Sequence, residues 1–300
     1  MKKAPIPKKI RKKLVIHNDE RIDSYYWLRD DKRKNKEIIS YLNEENRYTN
    51  LWFTKNKIHS KKIFSSYKDL IPKFEQGFKN KLDGYQYFST SSLSQEYKKY
   101  YRIYKKKKKL ILDVNKLAKN KVFYDISAIF PSKNHKYLAY GEDVNGRREF
   151  SIVIKDINRN ITLEKNSCSS TGSVIWNKSS DGYFYLKKDP KTLITDSLFF
   201  HKLGTNLKKD KLIYKEKDRQ FNLSFSLSRT KKYLFLECSK TESNEFWYLD
   251  LDNSSHCLKC FLKRKNKHLY YIDDTPNNFY ILSNRKNNKN FALYEAHFGS

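Results

Sequence analysis

Three hundred residues with a formal charge of +30 and 38% hydrophobic side chains sit near the composition of a disordered polybasic chain. The 15% of Phe, Tyr and Trp excludes that class, because each ring brings a large area that needs burial. Four scattered cysteines exclude a disulfide framework and point to a reducing cytoplasm; no run approaches the ~18 apolar residues of a membrane span, and no apolar region follows the charged start as in a signal peptide.

Lysine and arginine run from Lys2 to Lys289 without gathering on one element. The expectation is non-specific attraction for polyanions and no specific nucleic-acid site.

Residues 1–20, basic and proline-bearing, read as an extended arm. Next comes Arg21-Ile22-Asp23-Ser24-Tyr25-Tyr26-Trp27-Leu28-Arg29-Asp30-Asp31. Its three consecutive rings have no apolar neighbours in sequence, which marks a stretch made to dock elsewhere. From Glu37, the residues Ile38, Ile39, Leu42, Tyr48, Leu51 and Trp52 recur at helical spacing. A second helix carries Ile63, Phe64, Tyr67, Leu70 and Ile71 on one face, and Pro72 stops it.

Near residue 80 the period becomes alternating. Asp83-Gly84-Tyr85-Gln86-Tyr87-Phe88 is a turn feeding a strand, and the same device returns at Tyr137, Tyr183, Tyr233 and Phe279. The steps are 52, 46, 50 and 46 residues. Each unit adds a second strand, such as Phe150–Ile154 or Phe246–Leu249, and several add a third, such as Lys211–Tyr214 or Cys260–Leu262. Repeats of ~40–50 residues with several antiparallel strands are the mark of a β-propeller. The reading is a mainly β chain: an arm and two amphipathic helices over 1–75, then a partial propeller of about four to five blades over 76–300. Four units are complete and the fifth lacks its outer strand. With only 8 glycines, Asn and Asp are expected to carry many of the turns.

No chemistry-bearing motif survives weighing. Cys257 and Cys260 form a C-x-x-C without a second pair, and on a strand they point to opposite faces. Lys105 to Lys109 reads as a solvated loop or strand edge. The seven histidines are unpaired in sequence, and Ser169-Ser170-Thr171-Gly172-Ser173 is not a G-x-S-x-G elbow and falls between strands. No phosphate-binding glycine loop occurs. The expected catalytic, metal and cofactor residues are therefore none.

The stretch Arg21–Asp31, followed by Tyr41-Leu42-Asn43-Glu44-Glu45-Asn46, closely resembles the N-terminal signature of the prolyl oligopeptidase family, and within it the oligopeptidase B (protease II) branch. The likeness continues through Glu142-Asp143 with Arg147-Arg148 and Asp210-Lys211-Leu212-Ile213-Tyr214 to Glu216-Lys217-Asp218. It extends to Ser283-Asn284-Arg285 and Lys289–Tyr294. The resemblance implies a serine peptidase cutting short peptides after Arg or Lys, with a seven-bladed propeller gating a C-terminal α/β-hydrolase domain that bears the Ser-Asp-His triad. It implies that the arm and helices pack on that hydrolase domain. None of the triad-bearing segments is expected in these 300 residues. The chain is thus expected to be a truncated peptidase without activity of its own, or half of one split over two chains. The other reading is a non-catalytic module binding peptides or acidic partners.

Overall fold

The computed structural model describes residues 3–286 and 288–297. The described residues up to 75, with 92–94, form one compact unit; those from 76 to 91 and from 95 onward form another.

In the first unit the expected extended arm folds back on itself. Strands β1 (Lys12–Ile16) and β2 (Asp19–Asp23) pair antiparallel. His17 and Asn18, with φ of 54° and 63°, make the two-residue turn that matches strand twist. The rings after β2 also find partners the sequence did not suggest. Trp27 lies 6.2 Å from the ring of Tyr41, donates from Nε1 to the Lys8 carbonyl at 2.8 Å, and has the Lys8 ammonium over its face. Lys12 covers Tyr26 in the same way.

Asp30 then accepts from the backbone N–H groups of Lys32, Lys34 and Asn35, which holds its carboxyl below the usual range. Asn35 caps α1 (Lys36–Lys55) by accepting from Glu37 N and Ile38 N. A single residue, Asn56, separates α1 from α2 (Lys57–Asp69). Along these helices only Ile38 is buried, and Leu42, Trp52, Ile58, Phe64 and Tyr67 stand exposed. Both apolar stripes are bare. The short strand β3 (Phe74–Gln76) follows.

The second unit is a series of antiparallel meanders. The first blade comprises β4 (Asn80–Leu82), β5 (Tyr85–Ser92), β6 (Lys99–Tyr104) and β7 (Lys107–Asp113). After a short helix, α3 (Val114–Ala118), come β8 (Asp125–Pro131), β9 (Tyr137–Asp143), β10 (Phe150–Asp156) and β11 (Ile161–Trp176). The third blade adds β12 (Gly182–Lys188), β13 (Thr195–Lys202) and β14 (Lys211–Lys215). The fourth is β15 (Asn222–Leu227), β16 (Tyr233–Lys240), β17 (Ser243–Asp250) and β18 (Leu258–Leu262). A three-stranded fifth is β19 (Tyr270–Asp274), β20 (Asn278–Ser283) and β21 (Ala292–His297). Mainly β, with four full blades and, among the described residues, three strands of a fifth, this is the partial propeller the repeat implied.

The second and third blades share β11. Its first half pairs β10 and its end pairs β12, so seven strands run in one continuous sheet. The serine-rich stretch 169–173 lies inside this strand, at its bend, and not between strands. Close packing there demands small residues. The Ser127 hydroxyl accepts from Gly141 N at 2.7 Å and donates to Gly172 O at 2.8 Å. A Cβ on Gly141 would stand 2.5 Å from Gly172 Cα.

The recurring Tyr-Leu-Phe-Leu text has a direct cause. A blade inside a propeller is covered on both faces, so neither parity of the strand can be polar. On β16, Leu234 and Leu236 join Phe184, Leu186 and Leu198 on one side, while Tyr233 and Phe235 join Tyr270, Ile272 and Phe279 on the other. Four such core clusters fill the four seams between the five blades. The repeat length reappears as the separation of cross-seam hydrogen bonds. Trp176 Nε1 donates to Phe130 O at 3.0 Å, Asn134 N to Ser180 Oγ at 3.2 Å, and Ser228 Oγ to Asp274 Oδ2 at 3.0 Å; each pair is 46 residues apart.

Beyond the last seam, Tyr271, Leu282 and Leu293 form a row across β19, β20 and β21. They are 50, 43 and 67% exposed.

Asn and Asp carry many of the turns, as expected, but mostly without adopting positive φ themselves. Eighteen described non-glycine residues have positive φ, yet only Asn18, Asp83, Asn120 and Asn160 among them are Asn or Asp. Other Asx residues shape turns by accepting backbone N–H groups: Asp143 from Asn145, Gly146 and Arg148, and Asp156 from Asn158 and Arg159. Lys105 and Lys106 form the β6–β7 turn with φ of 45° and 64°, and Lys107 to Lys109 run on into edge strand β7.

Candidate functional site

The inner strands of four blades surround a cavity of about 360 Å³. Ile129 on β8, Val174 and Ile175 on β11, and Leu227 on β15 supply apolar wall, and Ser173 and Ser226 leave it roomy. Lys133, Lys231 and Asp83 lie at its border. Asp83 follows β4 in the first blade and Lys231 follows β15 in the fourth, yet their charged atoms are 3.9 Å apart. β8 and β15 are each terminal strands of their sheets, so each keeps one edge unpaired by sheet hydrogen bonds.

Next to the cavity is the first of three histidine centres. His135 takes a 2.9 Å hydrogen bond with Tyr87 OH at Nδ1 and stacks on Tyr85 at 4.0 Å. Its Nε2 is buried without a hydrogen-bond partner, 3.7 Å from Asp83 Oδ2. Burial lowers its pKa, and the nearby Asp83 opposes this only in part.

The second centre ties the shared strand to the third blade. Fully buried His201 contacts Asp210 Oδ1 at 2.7 Å through Nδ1 and Glu164 Oε2 at 3.2 Å through Nε2. Tyr185 donates to Asp210 and Asn166 donates to Tyr183. Burial pulls the imidazole pKa down, but the two carboxylates outweigh it and raise the net value. Both ring nitrogens face carboxylate oxygens, an arrangement that favours the protonated ring and serves as a structural tie.

At the third, His268 Nε2 lies 2.9 Å from Ser283 Oγ. This is half of a hydrolytic pair by composition, but Ser283 is 1% exposed and His268 Nδ1 has no partner to orient it. A nucleophile must be reachable, and its base must be oriented by a third group. This pair meets neither condition.

Glu216, Cys238 and Glu245 bring ligand atoms within 4.8 Å of one another. That spacing would suit a metal, but Arg264 occupies the position of the cation. Its Nη2 lies 2.6 Å from Glu216 and 2.7 Å from Glu245, and its backbone N–H donates to Glu245 at 3.0 Å. Cys257 is exposed just ahead of β18 and Cys260 half-buried on it, so the C-x-x-C pair is not a joint site.

The histidine and arginine centres escaped the sequence reading because their partners come from other strands and loops, 9 residues away for His201–Asp210, 15 for His268–Ser283 and 48 for His135–Tyr87. The usable signal was the repeat period itself: polar residues one period apart are neighbours. Glu216 and Arg264 are 48 apart.

Residues 5–300 match the model of the prolyl oligopeptidase N-terminal β-propeller domain. The chain belongs to the prolyl oligopeptidase family. Among curated members of this family it is 31% identical over 296 residues to Protease 2 of Moraxella lacunata, covering 94% of this chain and 42% of that protein. It is 30% identical over 251 residues to dipeptidyl aminopeptidase BI of Pseudoxanthomonas mexicana, covering 76% of this chain and 34% of that one. The fold superimposes on oligopeptidase B from Leishmania major with a TM-score of 0.91 at 23% identity, over 99% of this chain and 45% of the other. Oligopeptidase B from Trypanosoma brucei gives 0.89 at 22%, over 99% and 44%. The prolyl oligopeptidase fold seen here is thus the propeller part, and the chain spans less than half the length of these relatives. No helix among the described residues is long and apolar enough to cross a membrane.

Proposed function

We propose that this chain is the peptide-gating portion of an oligopeptidase B-like serine peptidase that cuts short peptides after Arg or Lys in the cytoplasm. On this reading the nucleophile, base and acid come from a hydrolase domain outside these 300 residues, on the same chain or on a second one. The observation that carries the proposal is the coverage: 94–99% of the chain aligns, but to only 42–45% of each relative. The bare apolar stripes of α1 and α2 support it as surface awaiting a partner.

The test is hydrolysis of Arg- and Lys-ended chromogenic peptides by the purified 300-residue chain, alone and mixed with the hydrolase domain of a relative. The expectation is no turnover alone and turnover on mixing that exceeds that of the hydrolase domain by itself. Turnover by the chain alone, abolished by a serine-directed inhibitor, would overturn the reading.

A further inference from the structure

We propose that the cavity between the inner strands is a binding subsite for a short extended peptide carrying an apolar side chain followed by a carboxylate. This deepens the peptide-gating reading and rests on it for the origin of the peptide, but the binding itself is a property of the cavity.

Three observations converge. The first is size and lining: about 360 Å³, walled by Ile129, Val174, Ile175 and Leu227, accepts one or two aliphatic side chains and rejects water from them. The second is the backbone around it. β8 and β15 each end their sheet on the cavity side, and an unpaired strand edge takes up an extended peptide through main-chain hydrogen bonds while a neighbouring pocket selects its side chain. A compact apolar molecule would use the pocket and leave those edges idle. The third is charge. Lys133 and Lys231 stand at the border with Asp83 as the only acid lining the cavity, and Asp83 sits 3.9 Å from Lys231. Lys133 feels the longer-range pull of Asp252, which Lys178 engages at 3.0 Å, so two lysines face one lining acid and the cavity border keeps a net positive charge placed to receive a carboxylate. A peptide with a basic residue there would meet repulsion, so the acidic or C-terminal end lies in the cavity and the basic residue lies away from it.

The experiment uses the 300-residue chain and three fluorescein-labelled hexapeptides at about physiological salt, where diffuse attraction to a highly basic protein is screened. One carries Leu and Ile followed by two Glu; the second replaces the Glu with Lys; the third keeps the Glu and replaces the aliphatics with Ser and Gly. Fluorescence anisotropy is expected to show the first binding at least tenfold more tightly than either other. Ser226→Trp fills the cavity from an exposed strand position and should weaken binding at least tenfold, and Lys133→Glu about tenfold. Leu227→Trp is the second filling variant, used if the first does not fold by circular dichroism.

Equal binding of the Ser/Gly peptide would assign the effect to net charge and overturn the proposal, as would undiminished binding to a folded cavity variant or no binding of the first peptide. Any of these leaves the gating reading standing, since that reading is decided by turnover on mixing with the hydrolase domain.

Discussion

Removing Arg264 tests whether the Glu216–Glu245 centre is held by one cation. In Arg264→Ala, two carboxylates with side chains each 6% exposed lose their shared partner. Breaking a buried ion pair from one side costs about 3–5 kcal/mol, because a charge is left uncompensated. The guanidinium is itself 27% exposed, so water reaches the vacancy and the lower figure applies, ~3 kcal/mol. For a unit of this size that is a fall of about 6–12 °C in Tm, at ~2–4 °C per kcal/mol.

The pH dependence gives a second readout. Burial pushes Glu245 up, but hydrogen bonds from the Arg264 side chain and backbone and from Trp247 hold it below the ordinary value. Wild-type stability from this group is present above the unfolded-state pKa and lost as pH falls through the folded one. The variant, with two acids crowded and no cation, gains relative to wild type as pH falls, because one of them then takes up a proton. With Cys238 already beside them, the freed acids should also bind zinc, so added zinc raises Tm of the variant and leaves wild type unmoved. The assay is a thermal melt by circular dichroism at pH 7 and pH 5, with and without zinc. A variant that melts within 2 °C of wild type at pH 7, on about the scale of a neutral surface change, would refute the reasoning.

His201 makes the opposite pH prediction: its folded pKa is raised, so its contribution is complete below the ordinary histidine value and lost as pH rises through the folded one. Tm of wild type should fall between pH 6 and 9 more steeply than that of His201→Gln; parallel profiles would show the imidazolium is not the cause. Gly141→Ala should cost about 1–3 kcal/mol or more in a urea titration, since the opposing atom is backbone Gly172 Cα; an unchanged midpoint would mean that β9 and β11 separate freely. Leu282→Lys with Leu293→Lys should lower binding of a hydrophobic dye and slow aggregation, because the row beyond the last seam is bare; unchanged dye binding would place the exposed surface elsewhere.

The blades were legible because a strand covered on both faces leaves a continuous apolar run, as at Tyr233–Leu236, and because turn residues punctuate it at fixed steps. The inner strands were not read, although Leu223, Phe225 and Leu227 alternate on β15; serines between them mimic a loop. The long β11 hid for a related reason, since Ser169 to Gly172 looks like an interruption and is only a bend. Unread also were the partners of Trp27, because Lys8 and Tyr41 meet it only after the arm turns back. The resemblance drew on residues whose role is visible only in three dimensions. Glu142 receives Tyr124 and Lys165, Asp210 holds His201, Glu216 holds Arg264, and Ser283 meets His268. Their partners stand 9 to 48 residues away on other segments of the chain, and among them only Glu216–Arg264 spans a full repeat, so local periodicity cannot reveal them.

The shared strand also has a mechanical consequence. Consecutive blades elsewhere are joined by a connector and a layer of side chains, which can hinge or slide. Between the second and third blades, β11 carries the load through the backbone itself, with ladder hydrogen bonds on both sides. Shear at that seam would have to break a strand, whereas shear between the third and fourth need only part the side chains around Leu198 and Leu234. Under force or thermal breathing, the second and third blades should therefore move as one stiff plate, and compliance should concentrate at the other three seams.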